Sequence, residues 1–333
     1  MARPRSRRKN PADAPDRRKA QTYGRSGNPA KAEVAPAAAR GPITARDWIA
    51  GARLRTLPLA ISPVVLGTGA GVVAIPDGPW HPWRFVLALV VALALQVGVN
   101  YANDYSDGIR GTDAHRVGPA RLTGSGLVDP KRVLWTAVAF FAIAGLAGLA
   151  LAVVTQQWWL VAVGVVAIVA AWFYTGGKHP YGYAGLGEVF VFVFFGLVAT
   201  AGSAFVQALT VNLEAWTGGA GVGLIACAVL MANNLRDVEQ DRAARKRTLA
   251  VLVGPTAGRV LFCVFLLLPF VLVGFWALLY PTAILVLFAL LAALPACLIV
   301  ITGRTPRDLI LALQLASLVS LAYGVGLGLA FAV

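Results

Sequence analysis

Charge is scarce in this sequence. Only 13% of its 333 residues are Asp, Glu, Lys or Arg, about half the ~25% of a water-soluble domain, which excludes an ordinary soluble globular protein. Cysteine is nearly absent too. Cys227, Cys263 and Cys297 all fall in apolar runs and form no C-x-x-C pair, so they read as small packing residues and not as a disulfide framework or thiolate metal site. No apolar stretch follows the first charges, so no signal peptide is expected. Acid is scarcer than base, with 15 Asp and Glu against 29 Lys and Arg. That excess does not indicate nucleic acid, because residues 1–55 hold 14 of the bases and 4 of the acids. This Ala-, Pro- and Arg-rich segment has no apolar period. It reads as a disordered basic arm near anionic lipid headgroups. Residues 1–45 are therefore expected to be a disordered cytoplasmic tail, and 46–333 a membrane domain.

What the chain has is hydrophobic length. Of its residues 58% are hydrophobic, and about nine runs of about 18–25 mainly apolar residues recur, each able to cross a ~30 Å hydrocarbon layer as a helix. The runs span residues 57–75, 84–103, 133–154, 158–175, 188–209, 216–236, 258–280, 282–302 and 309–331. The expected fold is an all-α integral membrane protein of about nine transmembrane helices, since lipid offers no partner to backbone groups left unpaired. With a cytoplasmic tail, the loops 104–132, 176–187, 237–257 and 303–308 are cytoplasmic. They carry 12 of the 15 Lys and Arg beyond residue 55, with Arg236 a thirteenth if the sixth run ends slightly early, a positive-inside pattern consistent with nine crossings.

Two acidic stretches close apolar runs on that side. In "NYANDYSDGIRGTD", Asn100 and Asp104 are four apart and Asp107 follows three later; in "NNLRDVEQDRAARKRTLAV", Asn233, Asp237 and Asp241 repeat the four-residue step. On helices these spacings put the side chains on one face. Carboxylates gathered at a membrane boundary are costly unless paired or metal-bound. All-oxygen sets without His or Cys suit a hard cation such as Mg²⁺. Bases follow each cluster: Arg110, Arg116 and Arg121 after the first, Arg242, Arg245, Lys246 and Arg247 after the second. Acids for metal beside bases for anion point to a metal–diphosphate complex; the plainer alternative is interfacial salt bridging. Between them, "YTGGKHPYGYAGLGE" offers Lys178 in a Gly-rich loop that can approach a phosphate closely. Its tyrosines Tyr174, Tyr181 and Tyr183 serve there or as interfacial anchors.

These three stretches resemble the UbiA family of intramembrane aromatic prenyltransferases. Asn100-x-x-x-Asp104 is similar to the family's first acidic motif. Its later Asp, four residues on, is Gly108 here, so that role passes to Asp107. Asp237-x-x-x-Asp241 with Lys246 is similar to the second motif, and Tyr174-x-x-x-Lys178 to the lysine motif. The longer matches "ARLRTLPLAISPVVLGT", "RVGPARLTGSGLV" and "PYGYAGLGEVFVFVFFG" resemble the branch that prenylates 1,4-dihydroxy-2-naphthoate for menaquinone. The resemblance extends over about residues 45–333.

It implies a helical bundle around a central cavity, Mg²⁺ held by Asp104, Asp107, Asp237 and Asp241, and a polyprenyl diphosphate donor. It implies diphosphate contacts from Asn100, Arg116, Arg121, Tyr174, Lys178, Asn233, Lys246 and Arg247, and an aromatic wall shielding an allylic cation. Arg53 and Arg55 either anchor the first helix or meet the acceptor's carboxylate. Glu188 either caps a helix or touches substrate, and Asp113 is a more distant ligand or a loop carboxylate. Rival readings are a cation-coupled transporter, a phosphatidyl-alcohol synthase and a prenyltransferase acting on 4-hydroxybenzoate. Acids at one interface beside many bases argue against the first, since transporters bind ions near the midplane. Their separation in sequence argues against the second. The sequence carries no signal for oligomeric state.

Overall fold

Prolines mark the helix starts. Pro58, Pro82, Pro130, Pro255, Pro281 and Pro306 each sit in a first turn, where the missing N–H has no helical partner to lose and φ is preset. The computed structural model describes residues 43–75, 78–112, 121–126 and 128–333. The expected tail lies outside these except for its last three residues, as do Asp113 and Arg116.

In chain order the helices are α1 (Ala45–Ala52), α2 (Pro58–Val73), α3 (Pro82–Ile109), α4 (Pro130–Thr155), α5 (Trp159–Phe173), α6 (Gly187–Ala208), α7 (Leu213–Arg236), α8 (Val238–Ala243), α9 (Leu249–Val253), α10 (Pro255–Trp276), α11 (Pro281–Thr302) and α12 (Pro306–Ala332). Among the described residues there is no strand. The all-α membrane fold expected from composition is present, but the count of nine is not reached. Among the described residues seven helices are long and apolar enough to cross a membrane, or eight if α1 and α2, bent by 47° at their junction, form one span. The shortfall is α5. Its 15 residues rise about 22 Å at 1.5 Å per residue, less than the ~30 Å hydrocarbon layer.

Close helix contact rests on glycine. A methyl group at Gly69 of α2 would collide with the Gly328 carbonyl of α12, and one at Gly67 with the Thr200 carbonyl of α6. Small residues let membrane helices approach where lipid supplies no hydrophobic drive between them. Hydrogen bonds pin these contacts: the Ser62 hydroxyl donates to the Ser320 carbonyl at 2.6 Å. The Asn212 amide donates to Ala70 O at 2.8 Å while its carbonyl oxygen caps α7 at Ala215 N. α2 packs between α12 and α6, α7 lies against both of these, and α3 pairs with α4. The main core gathers around α7, α10, α11 and α12, with Phe262, Trp276, Tyr323 and Leu327 buried. The cysteines are free, Cys227 and Cys297 buried and Cys263 half-buried, in keeping with a packing role.

The ends of α1, α3, α5 and α7 meet α8 at one end of the bundle, around a shared pocket. At the other end the Gln207 side chain accepts from His81 N–H at 2.9 Å and donates to His81 O at 3.1 Å, tying α6 to the start of α3. Exposed Trp83, Trp158, Trp159 and Trp216 crowd this second end, as tryptophans do at a membrane–water boundary.

Candidate active site

The acids of α3 are set by helical spacing, and each meets a different partner. Asn100 points back to the α1–α2 corner, its amide donating to Ala52 O at 3.0 Å and to Thr56 Oγ1 at 3.3 Å. Asn103 accepts from Thr175 Oγ1 at 2.7 Å. Asp104, expected as a metal ligand, takes backbone N–H groups on both oxygens, from Leu122 at 2.9 Å and Thr123 at 2.8 Å. It thereby fixes the turn that carries Arg121. Asp107 accepts from the Tyr183 hydroxyl at 2.8 Å and lies 3.6 Å from the Arg121 guanidinium. Burial first, and then the Asp107 charge, hold the Tyr183 phenol well above its ordinary pKa, so it keeps its proton and donates.

The second cluster, at the α7–α8 junction, faces the first. Asp237 is held bidentately by its neighbour Arg236, at 2.7 and 2.6 Å, the strong fork geometry of guanidinium with carboxylate. Asp241 lies 3.6 Å from Lys246 Nζ, and that ammonium also sits 5.1 Å from the Tyr183 ring centroid. The tyrosine therefore touches both clusters. Asn234 donates to the buried Glu188 carboxylate at 3.0 Å, which answers the question left over Glu188: it braces α6 against α7.

Between the clusters is a pocket of about 30 Å³, walled by the acids Asp107, Asp237 and Asp241 and the bases Arg53, Arg121 and Lys246, with Asn103, Asn233, Asn234, Tyr174 and Thr175 filling the gaps. Three acids thus meet three bases around a space with room for about two or three waters. Among the described residues no three acidic, His or Cys side chains converge as a ready-made metal cage. The donor set still fits Mg²⁺, which is held through one or two carboxylates and completes its octahedron with water and substrate phosphates.

Beneath it opens a larger cavity of about 350 Å³. Asn103, Arg53, Arg121, Tyr174 and Asn233 line both spaces, so the two adjoin. Asn100, Asp104 and Arg55 line the larger one only. Its walls descend into apolar surface from α2 to α7. One wall is a ladder of rings: Tyr174 edge-on to Tyr181 at 5.5 Å, Tyr181 stacked on Phe190 at 3.8 Å, and Phe190 above Phe194 at 6.1 Å. Residues Phe192–Val198 of α6 are wound as a π-helix, a local form found mostly at functional sites; it presents Phe194, Phe195 and Val198 to the cavity.

Two expected residues do not join the pockets. Lys178 and Arg247 are exposed and line neither, and Arg116 lies outside the described residues. The lysine loop is engaged differently: Arg110 donates to the carbonyls of Thr175 and Gly177. Spacing alone missed Asn103, Asn234 and Arg236. Only Arg236, adjacent to Asp237 in sequence, left a readable signal.

The sequence profile of the UbiA prenyltransferase family matches residues 63–318. The chain belongs to this family. A 1,4-dihydroxy-2-naphthoate octaprenyltransferase of Mycobacterium tuberculosis is 48% identical over 286 residues, 86% of this chain and 97% of that protein. UbiA folds are also similar in space. The apo UbiA homolog from Aeropyrum pernix K1 has a TM-score of 0.62 at 16% identity, covering 82% of this chain and 95% of that one. A UbiA homolog from Archaeoglobus fulgidus bound to GPP and Mg²⁺ has 0.60 at 14% identity, covering 84% and 98%. At those identities the likeness concerns the fold alone. The all-α bundle around a cavity is thus the UbiA architecture.

Proposed function

We propose that this protein transfers a polyprenyl group from polyprenyl diphosphate to 1,4-dihydroxy-2-naphthoate, releasing CO₂ and diphosphate and giving demethylmenaquinol. The observation that carries this reading is the 48% identity, over nearly its whole length, to a protein named for that reaction. The geometry supports it: a pocket of balanced charge adjoins an apolar, aromatic-walled cavity, matching a substrate with a phosphate head and a hydrocarbon tail.

In the reaction, the C1–O bond of the donor breaks and its electron pair leaves with diphosphate. The ring carbon that bears the acceptor's carboxylate bonds to C1, and the C–C pair released with CO₂ restores the aromatic ring. Charge balances without an added base, because the acceptor's carboxylate leaves as neutral CO₂. Asp107, Asp237 and Asp241 are the residues assigned to hold Mg²⁺, which neutralises the leaving diphosphate as a Lewis acid. Lys246, Arg121 and Arg53 are assigned charge-assisted hydrogen bonds to the phosphates, interactions that strengthen as negative charge develops there. Tyr174, Tyr181 and Phe190 present π-faces to the allylic cation and exclude water from it. Asp104 keeps Arg121 in position. The site is assigned to the cytoplasmic face of the plasma membrane on the positive-inside rule, with the basic segment 1–45 as a tail on that side.

The test is turnover by the purified full chain of radiolabelled polyprenyl diphosphate with a panel of aromatic acids, with and without Mg²⁺. Prenylation of 1,4-dihydroxy-2-naphthoate, dependent on Mg²⁺, is the expected result. Preference for 4-hydroxybenzoate, or no transfer to any acceptor, would refute the reading.

A further inference from the structure

The glycines of this bundle divide into two kinds. At Gly67, Gly69, Gly218 and Gly324 an added methyl would strike a neighbouring helix, so close packing explains them. At Gly148, Gly164 and Gly202 an added Cβ meets nothing within 4 Å, yet each sits in a helix interior, where glycine weakens the helix. Packing does not account for these three. All three line the large cavity. They also lie at similar steps along their helices. Gly148 on α4, Gly164 on α5 and Gly202 on α6 are each five to seven residues from the end of the helix remote from the acidic pocket, about 8–10 Å at 1.5 Å per residue. Ala88 on α3, six residues from the same end, also lines the cavity. Along α3 the cavity runs from Asp104 to Ala88, 16 residues or about 24 Å.

Resting on the prenyl-transfer reading above, we infer that Gly148, Gly164 and Gly202 form a collar that sets how long a prenyl chain this cavity accepts. The head of the donor is gripped at the far end, so side chains added at the collar obstruct only tails long enough to reach it. A short donor ends above the collar and is indifferent to it.

The experiment measures kcat/KM for geranyl, farnesyl, geranylgeranyl and octaprenyl diphosphates with the full chain and with Gly202→Leu and Gly164→Leu, each with 1,4-dihydroxy-2-naphthoate. The leucine variants are expected to keep geranyl and farnesyl transfer within about twofold and to lose at least about tenfold, ~1.4 kcal/mol, on octaprenyl diphosphate. Gly202→Ala is expected to show the same ordering with a smaller loss. If Gly202→Leu fails to fold, Gly164→Leu on the half-exposed α5 reads the same effect. Equal losses on all donors, or a donor profile unchanged by leucine, would overturn the collar while the reaction stands. A wild-type chain inactive with every donor would overturn both.

Discussion

At the scale of single residues, partner geometry separates acids that look equivalent in sequence. Asp104 and Asp107 share one helical face, but the first accepts two backbone amides and the second faces a tyrosine and an arginine. The helical spacing of each cluster was legible; which neighbour each carboxylate would meet was not, because Leu122, Thr123 and Tyr183 come from other segments. The same limit explains Lys178, whose Gly-rich loop suggested a phosphate ligand and whose side chain is exposed. Substitutions should follow geometry. Asp107→Asn and Asp241→Asn are expected to cut turnover at least tenfold, about 1.4 kcal/mol, in protein that still elutes as a folded species in detergent. For Asp237 the asparagine is the informative change. Alanine would strand the buried Arg236 charge, a loss of about 3–5 kcal/mol when a buried pair is broken, and mix folding with catalysis. Lys246→Ala is expected to raise the KM for prenyl diphosphate more than Lys178→Ala, measured in parallel at saturating acceptor; the reverse order would return the phosphate role to Lys178.

At the scale of elements, apolar runs and proline starts located the helices closely, because length and helix-start chemistry are local. Where a helix is short, as α5 is, the apolar run still leads from the tryptophan end of the bundle to the acidic end, but with only 15 helical residues. Glycine has opposite meanings in different helices, and only the neighbouring helix tells them apart. Gly69→Leu is expected to abolish recovery of folded protein, since its methyl already collides with α12. Gly148→Ala should raise thermal stability in detergent by the helix preference of alanine, up to about 1 kcal/mol. A matching loss at both positions would mean the two classes of glycine are not distinct. Helix caps follow local sequence as well. Thr305 and Asp308 form a capping box at the start of α12, and Thr305→Ala is expected to cost about 1 kcal/mol, read as a lowered midpoint in thermal unfolding.

At the scale of the whole molecule, the bundle gathers at one end the segments that sequence separates by about 130 residues, and it opens beneath them a cavity for hydrocarbon. The membrane class was legible in composition and the acidic pairing in motif; the aromatic ladder was not, since it joins residues of the α5–α6 connection to α6 through tertiary packing. Orientation is tested by fusing alkaline phosphatase, active only outside the cytoplasm, after Lys178 and after Val333. An inactive first fusion and an active second are expected, and the opposite pair would invert the molecule. The central claim is that both acidic clusters grip one magnesium-bound diphosphate. Its most direct measurement is equilibrium binding of labelled geranyl diphosphate, with and without Mg²⁺, to wild type, Asp107→Asn, Asp241→Asn and the double variant. Strong non-additivity is expected, since groups that share one ligand couple: either single change should remove most of the Mg²⁺-dependent affinity, and the double should lose little more. Losses that simply add, or binding indifferent to Mg²⁺, would show that the clusters do not act on a common ligand.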